Sequence, residues 1–202
     1  MVNYPSGVKP PKENTRRAQR GKAKLKVAPG NRGMSFEHDI NETNDYYREK
    51  GLCLITKRPT PINIVKVDYT HGPKITDAYF EKQSTTDYNG VCEGRYIDFE
   101  AKSTRSKTSF PLANIPKQQI EHLKKVLLHG GVAFFLINFA LLGETYLIGA
   151  EEVIRFYEER PRASIPLDDI KNLGYLIPEG YRPRYDYYPI LQEHFLKKRQ
   201  IS

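Results

Sequence analysis

Apolar and polar residues alternate along two neighbouring segments in the middle of the chain. Residues 85–92 and 95–102 predict two antiparallel strands joined by a two-residue turn at Glu93-Gly94, where glycine supplies a positive φ. Side chains alternate between the two faces of a strand. The face predicted to pack in the core carries Tyr88, Cys92, Ile97, Phe99 and Ala101. The other face carries Thr85, Asp87, Asn89, Tyr96, Asp98, Glu100 and Lys102. A turn or a bulge at Asn89-Gly90 is the alternative.

This pairing places Asp87 opposite Glu100 and Thr85 opposite Lys102. Residues opposite each other lie roughly 5 Å apart at Cβ, and like charges there are destabilising unless a cation lies between them. Carboxylate oxygens suit Mg²⁺, which usually binds through one or two carboxylates together with substrate phosphate. Lys102 points to the same face and could stabilise charge on a phosphate. The pattern predicts metal-assisted phosphodiester hydrolysis, and the alternative is a solvated polar face of a hairpin.

Helical and strand-like patterns surround this hairpin. Helices are predicted at residues 33–50, 116–129, 149–159 and 165–173, with a last helix ending near residue 198, and strands at 52–57, 132–141 and 144–148. In the second helix, Gln119 shares a face with Leu123 and Val126, so it should pack against the sheet and need a polar partner there. Glu37 either compensates the first helix dipole or adds a third carboxylate to the metal site.

Positive charge is concentrated at the N-terminus. The net charge is +8, and residues 1–32 hold nine Lys or Arg and one Glu, so the remaining chain is neutral. A cationic segment with few core-forming residues predicts a disordered arm that grips nucleic acid, and a solubilising tail is the alternative. The candidate DNA contacts in and beside the arm are Arg16, Arg17, Arg20, Lys22 and Arg32.

Residues 57–84 mix aromatic and cationic residues. Two extended segments, 62–69 and 75–82, predict a second hairpin. Aromatic rings and cations together suit unpaired bases and phosphates, and an ordinary edge hairpin with one buried face is the alternative. The candidate DNA contacts are Lys66, His71, Lys74, Tyr79 and Phe80, with Arg105 in a polar loop predicted at 103–109.

The remaining composition limits the class of protein. Cys53 and Cys92 are expected to be buried thiols of a reducing compartment, not a disulfide or zinc site. The longest apolar run, residues 132–142, is too short to span a membrane, and the basic N-terminus lacks the apolar segment of a signal peptide. A cytoplasmic protein without membrane contact is expected.

The order of these elements resembles the PD-(D/E)XK nucleases. More closely, the chain resembles the RecU-type Holliday junction resolvases, through the basic N-terminal segment, Asn31-Arg32-Gly33 leading to Glu37, Thr85-Thr86-Asp87, the segment 96–102 and Pro116-Lys117-Gln118-Gln119. The resemblance implies an α/β, restriction-endonuclease-like fold: a mixed central sheet flanked by helices, with a projecting stalk. Residues 1–32 would form the arm and 33–202 the nuclease domain, with 57–84 as a stalk-like insertion.

The resemblance also implies the chemistry and the partners. Thr85, Asp87, Glu100 and Gln119 would bind Mg²⁺, with Mn²⁺ as a possible substitute, and Lys102 would stabilise the transition state. A homodimer would resolve four-way junction DNA by paired symmetric nicks in recombination and repair, and it would have RecA and the RuvAB branch-migration complex as partners. The alternatives are a restriction-like or repair endonuclease acting on ordinary duplex, and a non-catalytic DNA-binding regulator of a recombinase.

Overall fold

The computed structural model describes residues 31–81, 85–159 and 162–197, with side chains from Phe36 onward. The arm predicted at residues 1–32 therefore lies almost entirely outside the described residues. The helices are α1 (Asn31–Glu49), α2 (Lys117–Leu128), α3 (Ala150–Glu159), α4 (Leu167–Leu173) and α5 (Tyr188–Leu191). The first strands are β1 (Cys53–Lys57), β2 (Ile62–Asp68), β3 (Lys74–Phe80), β4 (Tyr88–Cys92) and β5 (Arg95–Thr104). The later ones are β6 (Ser109–Pro111), β7 (Val132–Phe139), β8 (Glu144–Gly149), β9 (Ser164–Pro166) and β10 (Tyr175–Leu176).

A six-stranded mixed sheet forms the centre of the fold, in the order β1-β4-β5-β7-β8-β10. β5 and β7 are parallel, and every other neighbouring pair in this sheet is antiparallel. The chain between the parallel strands β5 and β7 contains α2, because parallel neighbours need a crossover connection, which is usually a helix. The predicted mixed α/β architecture, with a mixed central sheet and flanking helices, is confirmed.

Helices cover both faces of the sheet. α1 and α5 pack on one face, where Tyr88, Phe99 and Phe134 stack across three adjacent strands with ring centroids 4.8 and 4.6 Å apart. α2, α3 and α4 pack on the other face. The eight residues of β7 are all buried, in accordance with the continuous apolar run that predicted a central strand. Because both faces are covered, a charged residue pointing to either face leaves water and needs a protein partner or an ion.

The β4–β5 hairpin has the predicted turn. Glu93 and Gly94 both have positive φ, 48° and 75°, and Cys92 pairs with Arg95. The alternative turn at Asn89-Gly90 is wrong, because Gly90 lies in the ladder between Ile97 of β5 and Ile55 of β1. A Cβ on Gly90 would lie 2.0 Å from the Leu54 carbonyl oxygen, so glycine permits the close approach of β1.

β2 and β3 form a separate two-stranded sheet, as the second hairpin predicted. None of the described residues 58–81 is buried, so the alternative of an ordinary edge hairpin with one buried face is wrong. Glu81 donates its backbone N–H to the Pro61 carbonyl at 2.9 Å and closes the base of the hairpin. The hairpin therefore leaves the body between the end of β1 and the segment that leads into β4.

Several predicted boundaries differ from the structure. β5 continues to Thr104, which shortens the predicted polar loop to residues 105–108, because Ser103 and Thr104 pair with Asn138 and Phe139 of β7. The predicted last helix is interrupted: α5 ends at Leu191 and continues as a π-helical turn, Gln192–Leu196. The small β6–β9 sheet and β10 were not predicted, since two- and three-residue strands carry little periodicity.

The expectation of two free thiols is wrong. Cys53 and Cys92 form a disulfide between β1 and β4. The register places these residues directly opposite each other, with their Cα atoms 4.4 Å apart. The sequence did not reveal this contact because nothing in it indicated that β1 pairs with β4.

None of the helices in the described ranges is long and apolar enough to cross a membrane.

Candidate active site

Glu100 lies in the middle of β5 and points to the face covered by α2. Its neighbour on β7 is Phe135, and its own side chain is fully buried. The alternative of a solvated polar hairpin face is therefore wrong, because α2 closes over this face. A buried carboxylate costs free energy unless its oxygen atoms are hydrogen-bonded or bound to a cation.

Three groups converge on the Glu100 carboxylate. Oε1 accepts a hydrogen bond from Gln119 Nε2 at 2.8 Å and lies 2.5 Å from Lys102 Nζ. Oε2 accepts the backbone N–H of Asp87 at 3.0 Å. Burial raises the pKa of the Glu100 carboxyl to about 8; the Lys102 ammonium lowers this pKa, and the nearby Asp87 carboxylate raises it. Near neutral pH, the carboxyl is thus protonated much more readily than an exposed glutamate.

Asp87 lies beside Glu100, but not as a strand residue. The β4–β5 ladder ends at the Tyr88–Phe99 pair, so the predicted pairs of Asp87 with Glu100 and of Thr85 with Lys102 are wrong as strand pairs. The physical reason is that the Asp87 N–H donates to the Glu100 carboxylate and not to a backbone carbonyl. The Asp87 carbonyl in turn accepts the Arg58 N–H at 2.7 Å. Thr85 begins the described part of this segment and is half-buried.

Gln119 occupies the position that helical spacing predicted. It is buried on the face of α2 that also carries Leu123 and Val126. Its Nε2 donates to Glu100, while its Oε1 is buried without a hydrogen-bond partner. An unpaired buried carbonyl oxygen costs about 1–3 kcal/mol, and a divalent cation is one partner that would satisfy it.

The donor set around Glu100 fits a hard divalent cation. Two carboxylates and a side-chain amide oxygen are ligands that Mg²⁺ accepts, usually with water molecules completing the octahedron. Among residues 31–81, 85–159 and 162–197, no group of three or more His, Cys, Asp or Glu side chains lies in a metal-binding arrangement. This is consistent with a set in which only Asp87 and Glu100 are carboxylates.

Glu37 forms an ion pair with Lys57 at the end of β1. Lys57 lies on the same face of β1 as the buried residues Cys53 and Ile55, which pack on α1, so this ion pair lies on the α1 side of the sheet. Glu100 faces α2 on the opposite side. The Glu37 side chain contacts Lys57, and the Glu37 backbone carbonyl accepts a hydrogen bond from the Tyr88 hydroxyl. Of the two predicted roles of Glu37, compensation of the helix dipole is wrong, because α1 begins six residues earlier, at Asn31. The role at the metal site stays a prediction.

Asp98 is a second fully buried carboxylate, two residues before Glu100 on the same face. The sequence placed it on the polar face without a role. Four side chains surround it: Thr86, Tyr96, Arg58 and His122. One signal in the sequence could have revealed this cluster. A buried carboxylate needs a cationic partner, and Arg58, the last residue before the prolines that lead into the second hairpin, was a candidate for that partner.

The predicted DNA contacts fall into three groups. Lys66, His71, Lys74, Tyr79 and Phe80 all lie on the β2–β3 hairpin and are exposed. Phe80 pairs with Ile62 at the base of this hairpin, close in sequence to Asp87. Arg105 is exposed in the loop just beyond Lys102. The last group, Arg16, Arg17, Arg20 and Lys22, lies outside the described residues, as does the side chain of Arg32.

Comparison with known proteins identifies the family. The model of the family described as Recombination protein U (RecU) matches residues 31–193. The chain belongs to the RecU family. The match includes Thr85, Asp87, Glu100, Lys102 and Gln119, so the resemblance noted from these residues is confirmed.

Individual relatives extend the RecU match over nearly the whole chain. A Holliday junction resolvase RecU from Geobacillus kaustophilus (strain HTA426) is 45% identical over 202 residues, covering 98% of this chain and 99% of the relative. Another, from Lactococcus lactis subsp. cremoris (strain MG1363), is 49% identical over 208 residues, covering 96% and 98%. Among solved structures, the Archaeoglobus fulgidus Holliday junction resolvase Hjc matches with a TM-score of 0.42 and 12% identity, over 71% of this chain and 94% of Hjc.

Proposed function

We propose that this protein is a metal-dependent endodeoxyribonuclease that resolves four-way DNA junctions during homologous recombination and repair. One observation carries the chemical part: Gln119, whose Oε1 is buried without a partner, donates its Nε2 to the buried Glu100 carboxylate, which also contacts the Asp87 N–H and Lys102 Nζ. The relatives named Holliday junction resolvase support the substrate. Because that substrate is chromosomal DNA, we also propose a cytoplasmic location.

In this proposal Thr85, Asp87, Glu100 and Gln119 hold Mg²⁺, and Mn²⁺ can substitute for it. When bound, the ion stabilises the negative charge that develops on the scissile phosphate. Lys102 Nζ lies at the open side of the site, where its side chain is 21% exposed, so it can donate a hydrogen bond to a phosphate oxygen or to the attacking water. Glu37 is proposed to act indirectly, because its ion pair with Lys57 fixes the end of β1 from which Arg58 contacts Asp87.

The decisive test compares DNA shapes. The protein is expected to nick a synthetic four-way junction in Mg²⁺ at paired symmetric positions, to leave linear duplex of the same sequence uncut, and to be inactive in EDTA. Nicking products on denaturing gels provide the measurement. Equal cleavage of junction and duplex would favour a restriction-like or repair nuclease. Junction binding without cleavage in any divalent metal would favour a non-catalytic regulator.

We propose that the protein acts as a homodimer and that the β2–β3 hairpin contributes to dimer contacts. Four aliphatic side chains on this hairpin are 46–59% exposed: Ile62, Ile64, Val65 and Ile75. Such a concentration of exposed apolar surface marks an interaction site. A two-fold dimer would present one active site to each of two opposite strands of a junction, which symmetric nicking requires.

Substituting Ile64 with glutamate is expected to shift the protein from dimer to monomer, because a buried charge at an apolar contact is strongly unfavourable. Sedimentation velocity measures the change. Leu128→Glu is a matched control, since Leu128 is 81% exposed at the end of α2. If Ile64→Glu remains a dimer, the proposed role of the hairpin in dimer contacts is contradicted. The hairpin would then keep only its proposed role in DNA binding, through stacking of Tyr79 and Phe80 on bases.

The cationic N-terminal segment is proposed to bind DNA phosphates through Arg16, Arg17, Arg20, Lys22 and Arg32. Deleting residues 1–30, which carry eight of the nine Lys or Arg residues before Gly33, should weaken junction binding and flatten its dependence on salt, because fewer counterions are released. The measurement is the slope of log K against log salt concentration. A slope equal to that of the full chain would contradict this proposal.

RecA and the RuvAB branch-migration complex are proposed as protein partners. The resemblance to RecU-type resolvases motivates this proposal. Direct binding assays with purified RecA and RuvAB provide the test, and the absence of binding to either would contradict it.

A further inference from the structure

The Asp98 carboxylate lies at the centre of a cluster beside the proposed metal site. Its Oδ2 accepts hydrogen bonds from Arg58 Nη2 at 2.7 Å and from Tyr96 OH at 2.8 Å, and it contacts His122 Nε2 at 2.8 Å. Its Oδ1 accepts the hydroxyl of Thr86. Asp98 and Thr86 are both fully buried. Both oxygen atoms of Asp98 are therefore engaged with protein groups.

Two of these contacts hold the segment that carries Asp87. Residues 85–87 precede β4 and lack the ladder hydrogen bonds of a strand. Three contacts hold this segment: the Thr86 hydroxyl on Asp98, the Arg58 N–H on the Asp87 carbonyl, and the Asp87 N–H on Glu100. The first contact involves Asp98 directly. The second depends on Arg58, whose guanidinium is fixed by Asp98.

A further contact of Asp98 holds the helix that carries Gln119. His122 lies one turn after Gln119 in α2, and residues three apart share a helix face. The contact between His122 and Asp98 therefore ties α2 to β5 close to the point where Gln119 meets Glu100. Asp98 thus connects to both elements that bring ligands to Glu100.

We infer that Asp98 is a positioning residue that sets the distances between the proposed metal ligands Asp87, Glu100 and Gln119 without contacting the metal. Asp98 is not among the ligands proposed above, and its oxygen atoms contact Thr86, Arg58, Tyr96 and His122. The inference rests on the metal site proposed above. Outer groups that orient metal ligands typically change metal affinity by about 10- to 100-fold when they are removed.

Two substitutions test this role through metal binding alone. Asp98→Asn preserves size but removes the charge, and Thr86→Val preserves size but removes the hydroxyl. Both variants are expected to weaken Mn²⁺ binding to the metal-free full-length protein by about tenfold or more, measured from the free Mn²⁺ signal by electron paramagnetic resonance. Thr86→Ser retains the hydroxyl and is expected to bind Mn²⁺ like the unaltered protein. Circular dichroism establishes that each variant is folded at the temperature of the measurement.

The outcomes separate a positioning role from a purely structural one. If Asp98→Asn and Thr86→Val lower only the melting temperature and bind Mn²⁺ as tightly as the unaltered protein, the inference is overturned. Should Asp98→Asn fail to fold, the comparison between Thr86→Val and Thr86→Ser decides the question by itself. Asp87→Asn is measured in parallel: unchanged Mn²⁺ binding in that variant would refute the proposed metal site itself and not Asp98 alone.

Discussion

Replacing Asp87 with asparagine, or Glu100 with glutamine, is expected to abolish junction cleavage while junction binding persists. Each substitution preserves the size of the side chain and removes one of the two carboxylates available to a divalent cation. Removing a single group that stabilises transition-state charge costs about 100- to 1000-fold in rate. Loss of a ligand carboxylate also weakens metal binding, so the combined loss should exceed that range.

Binding should survive because neither carboxylate is a favourable contact for a phosphate. Glu100 is buried under α2, and its pKa of about 8 shows how unfavourable its charged form is there. A glutamine at this position keeps the size of the side chain and one acceptor oxygen, which can meet the Lys102 and Gln119 donors; its amide group then faces the Asp87 N–H, and that one hydrogen bond is lost. Junction binding in EDTA, measured by gel mobility, is therefore expected to match or exceed that of the unaltered protein.

The chain contains its own control for this experiment. Asp169-Ile170-Lys171 in α4 repeats the spacing of a carboxylate and a lysine, but outside the central sheet. Asp169→Asn removes the same charge and should leave cleavage unchanged. Cleavage that persists in Glu100→Gln, or that is lost equally in Asp169→Asn, would refute the assignment of the active site.

Local patterns in the sequence predicted the parts of this site that lie within a single strand or helix. The alternation of residues 95–102 predicted that Asp98, Glu100 and Lys102 share a face, and helical spacing predicted that Gln119 faces the sheet. Both are confirmed by the register of β5 with β7 and by the contact between Gln119 and Glu100. These predictions succeeded because the period of a strand or a helix fixes the direction of a side chain from its own segment alone.

Contacts between distant segments were not predictable in the same way. The disulfide between Cys53 and Cys92 depends on the pairing of β1 with β4, and the cluster at Asp98 depends on Arg58 and His122, which are 40 and 24 residues away in sequence. Asp87 leaves the ladder because its N–H meets a carboxylate that only the folded chain brings there. Periodicity carries no information about such competition between a side chain and a backbone acceptor.

Lys102 is the second residue whose replacement should have a large effect. Its Nζ lies 2.5 Å from Glu100 Oε1. Within the part of the chain that the structure describes, Lys102 is the cationic residue that contacts this carboxylate. Lys102→Met preserves the length of the side chain and removes the ammonium. Cleavage of a junction at saturating Mg²⁺ is expected to fall by about 100- to 1000-fold, because the ammonium can no longer stabilise charge on the phosphate or orient the attacking water.

Metal binding separates this role from that of the carboxylates. Because the Lys102 ammonium competes with a metal cation for Glu100, Lys102→Met should bind Mn²⁺ as tightly as the unaltered protein or more tightly, whereas Asp87→Asn should bind it more weakly. Lys171→Met, in the repeated spacing of α4, is the matched control and should cleave normally. A loss of cleavage in Lys102→Met that is fully restored by raising the Mg²⁺ concentration would contradict transition-state stabilisation, because it would make Lys102 a determinant of metal affinity alone.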